Sequence, residues 1–230
     1  MLCVINKLVD CGFSRVGPSL NKPLIINCVP GGGKTTIIRQ LLEEFDHLVA
    51  YTTASPDPIN LKGNQIKALP ATPEEGKLVI LDEYQNLAKL PDWVDIAFGD
   101  PLQSCNPNLL SADFLSYRTH RFGRNTCGLL GRLGFRVESD LEDSVVFEGL
   151  FEGELEGQIL CCEQEVEELL TSHSVEFLTP RTAQGKTFEV VTFCCSERPL
   201  ANNLHLYLIC LTRHTSKLRI LNPEGAAGFF

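Results

Sequence analysis

Residues 26–42 read INCVPGGGKTTIIRQLL, and their order decides the fold class. An apolar run ends at Pro30 and three glycines, Gly31, Gly32 and Gly33, after which Lys34, Thr35 and Thr36 open an amphipathic stretch. Strand, glycine loop and helix in that order describe a phosphate-binding loop. Glycines let backbone N–H groups close around phosphate oxygens. Lys34 then reaches the β- and γ-phosphates, the Thr35 hydroxyl holds Mg²⁺, and the helix start turns its positive dipole end toward the same anion. The pattern G-x-x-x-x-G-K-[ST] has a glycine where this chain has Cys28. Cysteine is small, so the loop is expected to tolerate it. The competing reading is a glycine-rich turn before an ordinary helix.

Length and composition set the outer limits. A chain of 230 residues is one large domain or two small ones, and a 43% hydrophobic content makes it globular. The longest apolar run, near LHLYLICL, is far short of the roughly 20 residues a membrane helix needs, so no membrane span is expected. The opening stretch MLCVINKLVDCGF has no basic leader, so no signal peptide is expected. None of the ten cysteines falls in a C-x-x-C pair, and the adjacent pairs Cys161-Cys162 and Cys194-Cys195 sit beside apolar residues, so buried thiols in a reducing compartment are expected over a metal or disulfide framework.

The net charge of −9 at first argues against nucleic acid. Its distribution along the chain argues the other way. Residues 137–173 carry 12 acidic side chains and no lysine or arginine, so the remainder nets +3. Residues 113–136 hold five arginines against one aspartate. Electrostatic binding follows the local field, so an acidic total leaves room for a basic path. The acidic block reads as a solvated face or an exposed insertion.

Near-continuous apolar strands alternate with helices, which predicts α/β architecture with mainly parallel sheets covered on both faces. Strands are expected at 24–29, 48–53, 78–82, 96–99, 145–147, 175–178, 188–195 and 206–211. Helices are expected at 35–45, 125–133 and within EQEVEELL. The pattern restarts after DPLQSCNPNLLSADF, placing a domain boundary near residue 108, so that the domains are 1–108 and 109–230. Trp93 and the phenylalanines fall in apolar patterns and are expected in the core.

Two further elements carry chemistry. In KLVILDEYQNL, Asp82 and Glu83 end a buried strand 48 residues after the loop lysine. Ligands of open α/β sheets bind at that edge. Asp82 suits a Mg²⁺ ligand, and Glu83 suits the base that orients and deprotonates an attacking water. In IAFGDPLQS, Gln103 follows a strand and tight turn on the same edge, where its amide can touch γ-phosphate and water without adding charge.

Together GGGKTT, LDEYQ and FGDPLQS resemble motifs I, II and III of superfamily 1 helicases. SYRTHRFG resembles motif IV, TAQGKTFEVV motif V and LICLTRHT motif VI. The short form is similar to the first protein of the plant-virus triple gene block, of the potexvirus and carlavirus type. The resemblance spans about residues 23–220. It implies two tandem RecA-like domains, each a mainly parallel sheet flanked by helices, with the NTP cleft between them. It also implies an RNA-stimulated, Mg²⁺-dependent ATPase and helicase that binds single-stranded and duplex viral RNA. Cell-to-cell movement through plasmodesmata and suppression of RNA silencing come with the resemblance. So do self-association, partners among other movement proteins, coat protein and host silencing factors, and a place in the host cytoplasm or nucleus.

The resemblance also assigns residues. Arg213 in CLTRH and Arg118 in SYRT would neutralise the transferring phosphoryl group, with Arg121 as competitor to Arg118. The alternative for either is an RNA-phosphate contact or a surface ion pair. Gln184, Gly185 and Thr187 would couple RNA backbone to the nucleotide, and Lys186 would pair with a phosphate. YTTASPDPINLKGNQIK stands where motif Ia stands, so Thr52 and Thr53 would bond RNA phosphates. Two other classes stay open: an RNA-binding and host-protein adaptor using NTP as a conformational switch, and a small P-loop kinase.

Overall fold

The computed structural model describes residues 1–17, 22–58, 61–104 and 109–230. The chain divides into two compact units, Met1–Arg118 and Thr119–Phe230. Residue 108, where the sequence places the boundary, lies outside the described residues. The division falls at 118/119 because a strand at Phe114–Ser116 pairs into the first unit's sheet.

The first unit runs α1 (Leu2–Asp10), β1 (Ser14–Arg15), β2 (Leu24–Cys28), α2 (Lys34–Glu44), β3 (Leu48–Thr52), β4 (Ile66–Ala68), β5 (Leu78–Asp82), β6 (Ile96–Gly99) and β7 (Phe114–Ser116). Among the described residues its seven strands lie in the order β1-β7-β2-β6-β5-β3-β4. Every pairing is parallel except that of the short edge strand β1 with β7. Both faces are covered. Leu24 and Ile26 of β2 pack with Val4 and Leu8 of α1 and Ile38 and Leu41 of α2. Ile25 points to the other face, with Val49, Tyr51, Val79 and Leu81. That two-sided burial is why these strands read as unbroken apolar runs. Trp93 lies against this second cluster, edge-on to Tyr51 at 6.1 Å.

The second unit holds α3 (Arg124–Arg132), β8 (Ser144–Gly149), β9 (Gln158–Leu160), α4 (Gln164–Ser172), α5 (Pro180–Ala183), β10 (Phe188–Cys194), α6 (Leu204–Leu211), β11 (His214–Asn222) and α7 (Ala226–Phe229). Its four strands are all parallel, ordered β8-β11-β10-β9. Here the structure corrects the expected elements. Residues 206–211 form helix, not strand, and β11 follows immediately. An all-apolar run has no period to tell a buried helix from a buried strand. Topology decides it, because parallel neighbours β10 and β11 need a crossover, and α6 is that crossover. Residues 175–178 form no strand either; Leu178 makes a single bridge to Leu160.

The acidic block is only partly a solvated face. The connection from β8 to β9 crosses the sheet, where Glu156 accepts from Lys217 at 2.6 Å and from Arg219 at 3.0 Å. Glu148 takes the other side of the Arg219 guanidinium at 2.9 Å. Among the described residues, no helix is long and apolar enough to cross a membrane.

Candidate nucleotide site

The loop that follows β2 has the conformation its glycines predict. Gly31 and Gly33 adopt positive φ of 74° and 84°, and Gly33 leads directly into α2 at Lys34. Gly32 is required for space instead. A Cβ there would lie 2.7 Å from Cys28 Sγ and 3.0 Å from the Val29 carbonyl oxygen. Cys28 therefore occupies the room beneath the loop, and Gly32 makes way for it. Burial pushes the Cys28 thiol up to about 12, so it remains protonated and acts as a small packing group.

The carboxylates arrive from β5. Asp82 is the strand's last residue and is buried, and Thr35 Oγ1 lies 3.5 Å from its Oδ2. Burial, reinforced by the charge of Glu83, pushes the Asp82 carboxyl up to about 7. Lys34 is buried too, with Nζ 3.6 Å from Glu83 Oε1. Burial pulls the Lys34 pKa down, but Glu83 and the other nearby negative groups outweigh that and hold it above its ordinary value. The lysine is thus a fixed cation among carboxylates.

Glu83 adopts a left-handed backbone, φ 58° and ψ 41°, rare for a residue with a side chain. Thr53 supports it: its hydroxyl donates to the Glu83 carbonyl oxygen at 2.7 Å. Thr52 Oγ1 accepts from the Ala54 N–H at 3.0 Å. Both hydroxyls proposed for RNA phosphates are therefore engaged with nearby backbone.

Gln103 ends a short turn at Pro101–Gln103, and its amide donates to the buried carboxylate of Asp100. Two groups here were not singled out in the sequence. Gln85, 2% exposed, donates to the Glu83 carboxylate and accepts from the Asp100 N–H at 3.2 Å. Tyr84 donates to Asn27 Oδ1 at 3.0 Å. The signal lay in the quoted stretches LDEYQ and GDPLQ, but nothing in residue type alone separates a bridging amide from a surface one.

Among the described residues, no three His, Cys, Asp or Glu side chains could hold a metal ion by themselves. One hydroxyl and one carboxylate, Thr35 and Asp82, suit a hard cation whose remaining oxygens come from phosphate and water. These residues fit Mg²⁺ in company with a nucleotide.

In the second unit, Gln184–Thr187 form the turn between α5 and β10, with Gly185 at φ 80°. Gln184 is half-buried, and Gly185, Lys186 and Thr187 are exposed. The next residue, Phe188, donates its N–H to the Arg213 carbonyl oxygen at 2.8 Å. That bond brings the Gln184–Thr187 turn to the Arg213 segment. Arg213 is 2% exposed, and its Nε donates to the Ile209 carbonyl oxygen at 3.0 Å. Arg121 donates to the Thr212 carbonyl oxygen at 3.0 Å. Arg118 is exposed at the end of the first unit.

A parallel α/β sheet with this loop and paired acids defines a class, and comparison bears it out. The viral superfamily 1 RNA helicase core domain matches residues 24–222. Among solved structures, an arterivirus nonstructural protein 10 helicase in complex with DNA shares the fold at a TM-score of 0.62 and 18% identity, over 87% of this chain. This chain spans 60% of that helicase.

Sequence relatives narrow the class. The movement and silencing protein TGBp1 of Poplar mosaic virus is 43% identical over 96% of this chain and 97% of its own length. That of Chrysanthemum virus B is 41% identical over 96% of each. That of Plantago asiatica mosaic potexvirus is 38% identical, again over 96% of each. The chain belongs to the TGBp1 family of viral superfamily 1 helicases.

Proposed function

We propose that this protein is an RNA-stimulated, Mg²⁺-dependent NTPase of helicase type, with ATP as a substrate. The observation that carries the proposal is the pairing, at the edge of one sheet, of a glycine loop and buried lysine with two carboxylates. Lys34, the loop from Pro30 to Gly33, Thr35 and Thr36 bind the phosphates. Thr35 and Asp82 would hold Mg²⁺, which supplies charge neutralisation at the phosphate oxygens when bound. Glu83 orients and deprotonates the water, assisted by Gln103. Arg213 and Arg118 neutralise the transferring phosphoryl group. Gln184, Gly185, Lys186 and Thr187 couple nucleotide state to RNA, and Thr52 and Thr53 belong to the RNA path.

The relatives' name, movement and silencing protein, supports a role in carrying viral RNA between cells and in suppressing RNA silencing. The host cytoplasm and plasmodesmata, with the nucleus, are the compartments that reading implies. Viral RNA, other movement proteins, coat protein and silencing factors are the partners it implies.

The test is NTP hydrolysis by the purified protein, with and without single-stranded RNA, beside Lys34→Ala and Arg213→Ala. Hydrolysis stimulated by RNA, lost in the first variant and slowed in the second, supports the proposal. The burial of Arg213 against the Ile209 carbonyl favours one second reading, an adaptor that uses NTP as a switch. Slow hydrolysis indifferent to RNA, despite binding of both ligands, would select it.

A further inference from the structure

Next to Arg213 stands His214, the first residue of β11 and fully buried. Its Nε2 lies 3.2 Å from Asp143 Oδ2 and 3.0 Å from Thr126 Oγ1. Asp143 also accepts, through Oδ1, the N–H groups of Asn125 at 2.9 Å and Thr126 at 3.4 Å, in the first turn of α3. A carboxylate only accepts, so Nε2 carries the hydrogen it shares with Asp143. Among the described residues, Nδ1 is buried with no hydrogen-bond partner, and Phe122 packs against the ring at 6.0 Å between centroids.

An unpaired buried ring nitrogen is costly, and an apolar side chain of similar size would avoid that cost. Packing alone therefore does not account for a histidine here. What the imidazole adds is direction: it ties the start of β11 to the N-terminal end of α3. The same short segment is held twice more, by Arg121 on the Thr212 carbonyl and by Phe188 N–H on the Arg213 carbonyl. Arg213 is thus carried on a backbone fixed before, at and after it.

We infer that His214, clamped by Asp143 and Thr126, is a positioning residue that sets the backbone of Arg213 for phosphoryl transfer. The inference rests on the reading of Arg213 as the arginine that acts on the nucleotide. His214 touches no reacting atom in this role. It acts by restricting where Arg213 can point, and in phosphoryl transfer such positioning is most of what a protein contributes.

The experiment is steady-state NTP hydrolysis in saturating RNA by wild type, His214→Leu, His214→Gln, Asp143→Asn, Arg213→Ala and the Arg213→Ala/His214→Leu double variant, with melting temperature as a fold control. His214→Leu should lower kcat about tenfold with KM for NTP within about twofold. His214→Gln, whose amide nitrogen can stand near the place of Nε2, should recover most of that loss. In the Arg213→Ala background, His214→Leu should change kcat by less than about twofold, because the residue it positions is gone. Asp143→Asn keeps the cap acceptor of α3, and so gives a folded variant to read if His214→Leu fails to fold; its kcat should fall in the same direction. Full kcat in folded His214→Leu, or in Asp143→Asn if that variant alone folds, beside a slow Arg213→Ala, would overturn the inference and leave the Arg213 reading standing. Independent, multiplicative losses in the double variant would also overturn it. Full kcat in Arg213→Ala would instead sink the Arg213 reading, and the inference with it.

Discussion

The hydroxyl of Thr53 donates to the backbone carbonyl oxygen of Glu83 at 2.7 Å, across the edge between β3 and β5. Glu83 needs that support. A left-handed backbone on a residue with a Cβ costs about 1–2 kcal/mol and persists only when neighbours hold it. At φ 58° the Glu83 carboxylate reaches toward both Lys34 and Gln85. The strain is thus tied to where the proposed base points.

Thr53→Val keeps the shape and removes the donor. Hydrolysis in this variant should fall about tenfold or more, because a base displaced by a fraction of an ångström loses alignment with its water. Nucleotide binding should change far less, since Lys34 and the glycine loop are untouched. Parallel measurement of kcat and of nucleotide Kd separates the two. An RNA affinity that drops while kcat holds would instead leave Thr53 on the RNA path with no part in placing the base.

Cys28 and Gly32 make a second coupled pair. Gly32→Ala would drive its Cβ into Cys28 Sγ at 2.7 Å and should abolish nucleotide binding while the rest of the fold survives. Cys28→Gly alone should be mild, as it restores the commoner residue of the loop pattern. The double variant should regain part of the binding lost by Gly32→Ala, and only part, because the Val29 carbonyl still stands 3.0 Å from the new methyl. Fluorescent-nucleotide titration of the three variants checks this. A double variant no better than Gly32→Ala would show that the thiol is not the obstacle.

The first unit was legible in the sequence because its strands are buried on both faces and its loop has a fixed glycine grammar. Leu78–Asp82 and Ile96–Gly99 fall at the expected residues, and the α/β class follows from them. The second unit was harder. Leu204–Leu211 has no period to read, and β11 mixes Lys217 and Arg219 into a central strand. Those charges look like a surface segment until Glu148 and Glu156 are seen to meet them. The site divides the same way. Lys34, Asp82 and Glu83 announce themselves by spacing. Asp143 matters through His214, far along the chain, and Gln85 through Asp100 at the end of another strand, and no local pattern encodes either pairing.

The helix at Leu204–Leu211 can be tested directly. Leu208 is 1% exposed, and its replacement by alanine removes apolar contacts from a site closely packed all round. Leu208→Ala should cost about 2–5 kcal/mol of stability in the second unit, read by urea denaturation. Leu200, exposed just before α6, serves as control. Leu200→Ala should stay within about 0.5 kcal/mol of wild type. Equal losses at both positions would contradict the burial of α6.

Asp143 makes a prediction about acid. Burial alone would raise its carboxyl, but hydrogen bonds from His214, Thr126 and the Gly123 backbone hold it down at about 2, against an ordinary value of 3.8. A carboxylate depressed on folding adds stability that is complete above its unfolded pKa and is lost as pH falls through the folded one. The window therefore runs from about pH 4 down to about pH 2, and the shift corresponds to about 2 kcal/mol. Asp143→Asn has no such charge to titrate. Between about pH 5 and pH 2 the variant should lose about 2 kcal/mol less stability than wild type, while at about pH 7 it should be the less stable of the two. Urea midpoints across that range measure both halves of the claim. Parallel acid slopes in the two proteins would mean that the clamp on His214 does not depend on the Asp143 charge.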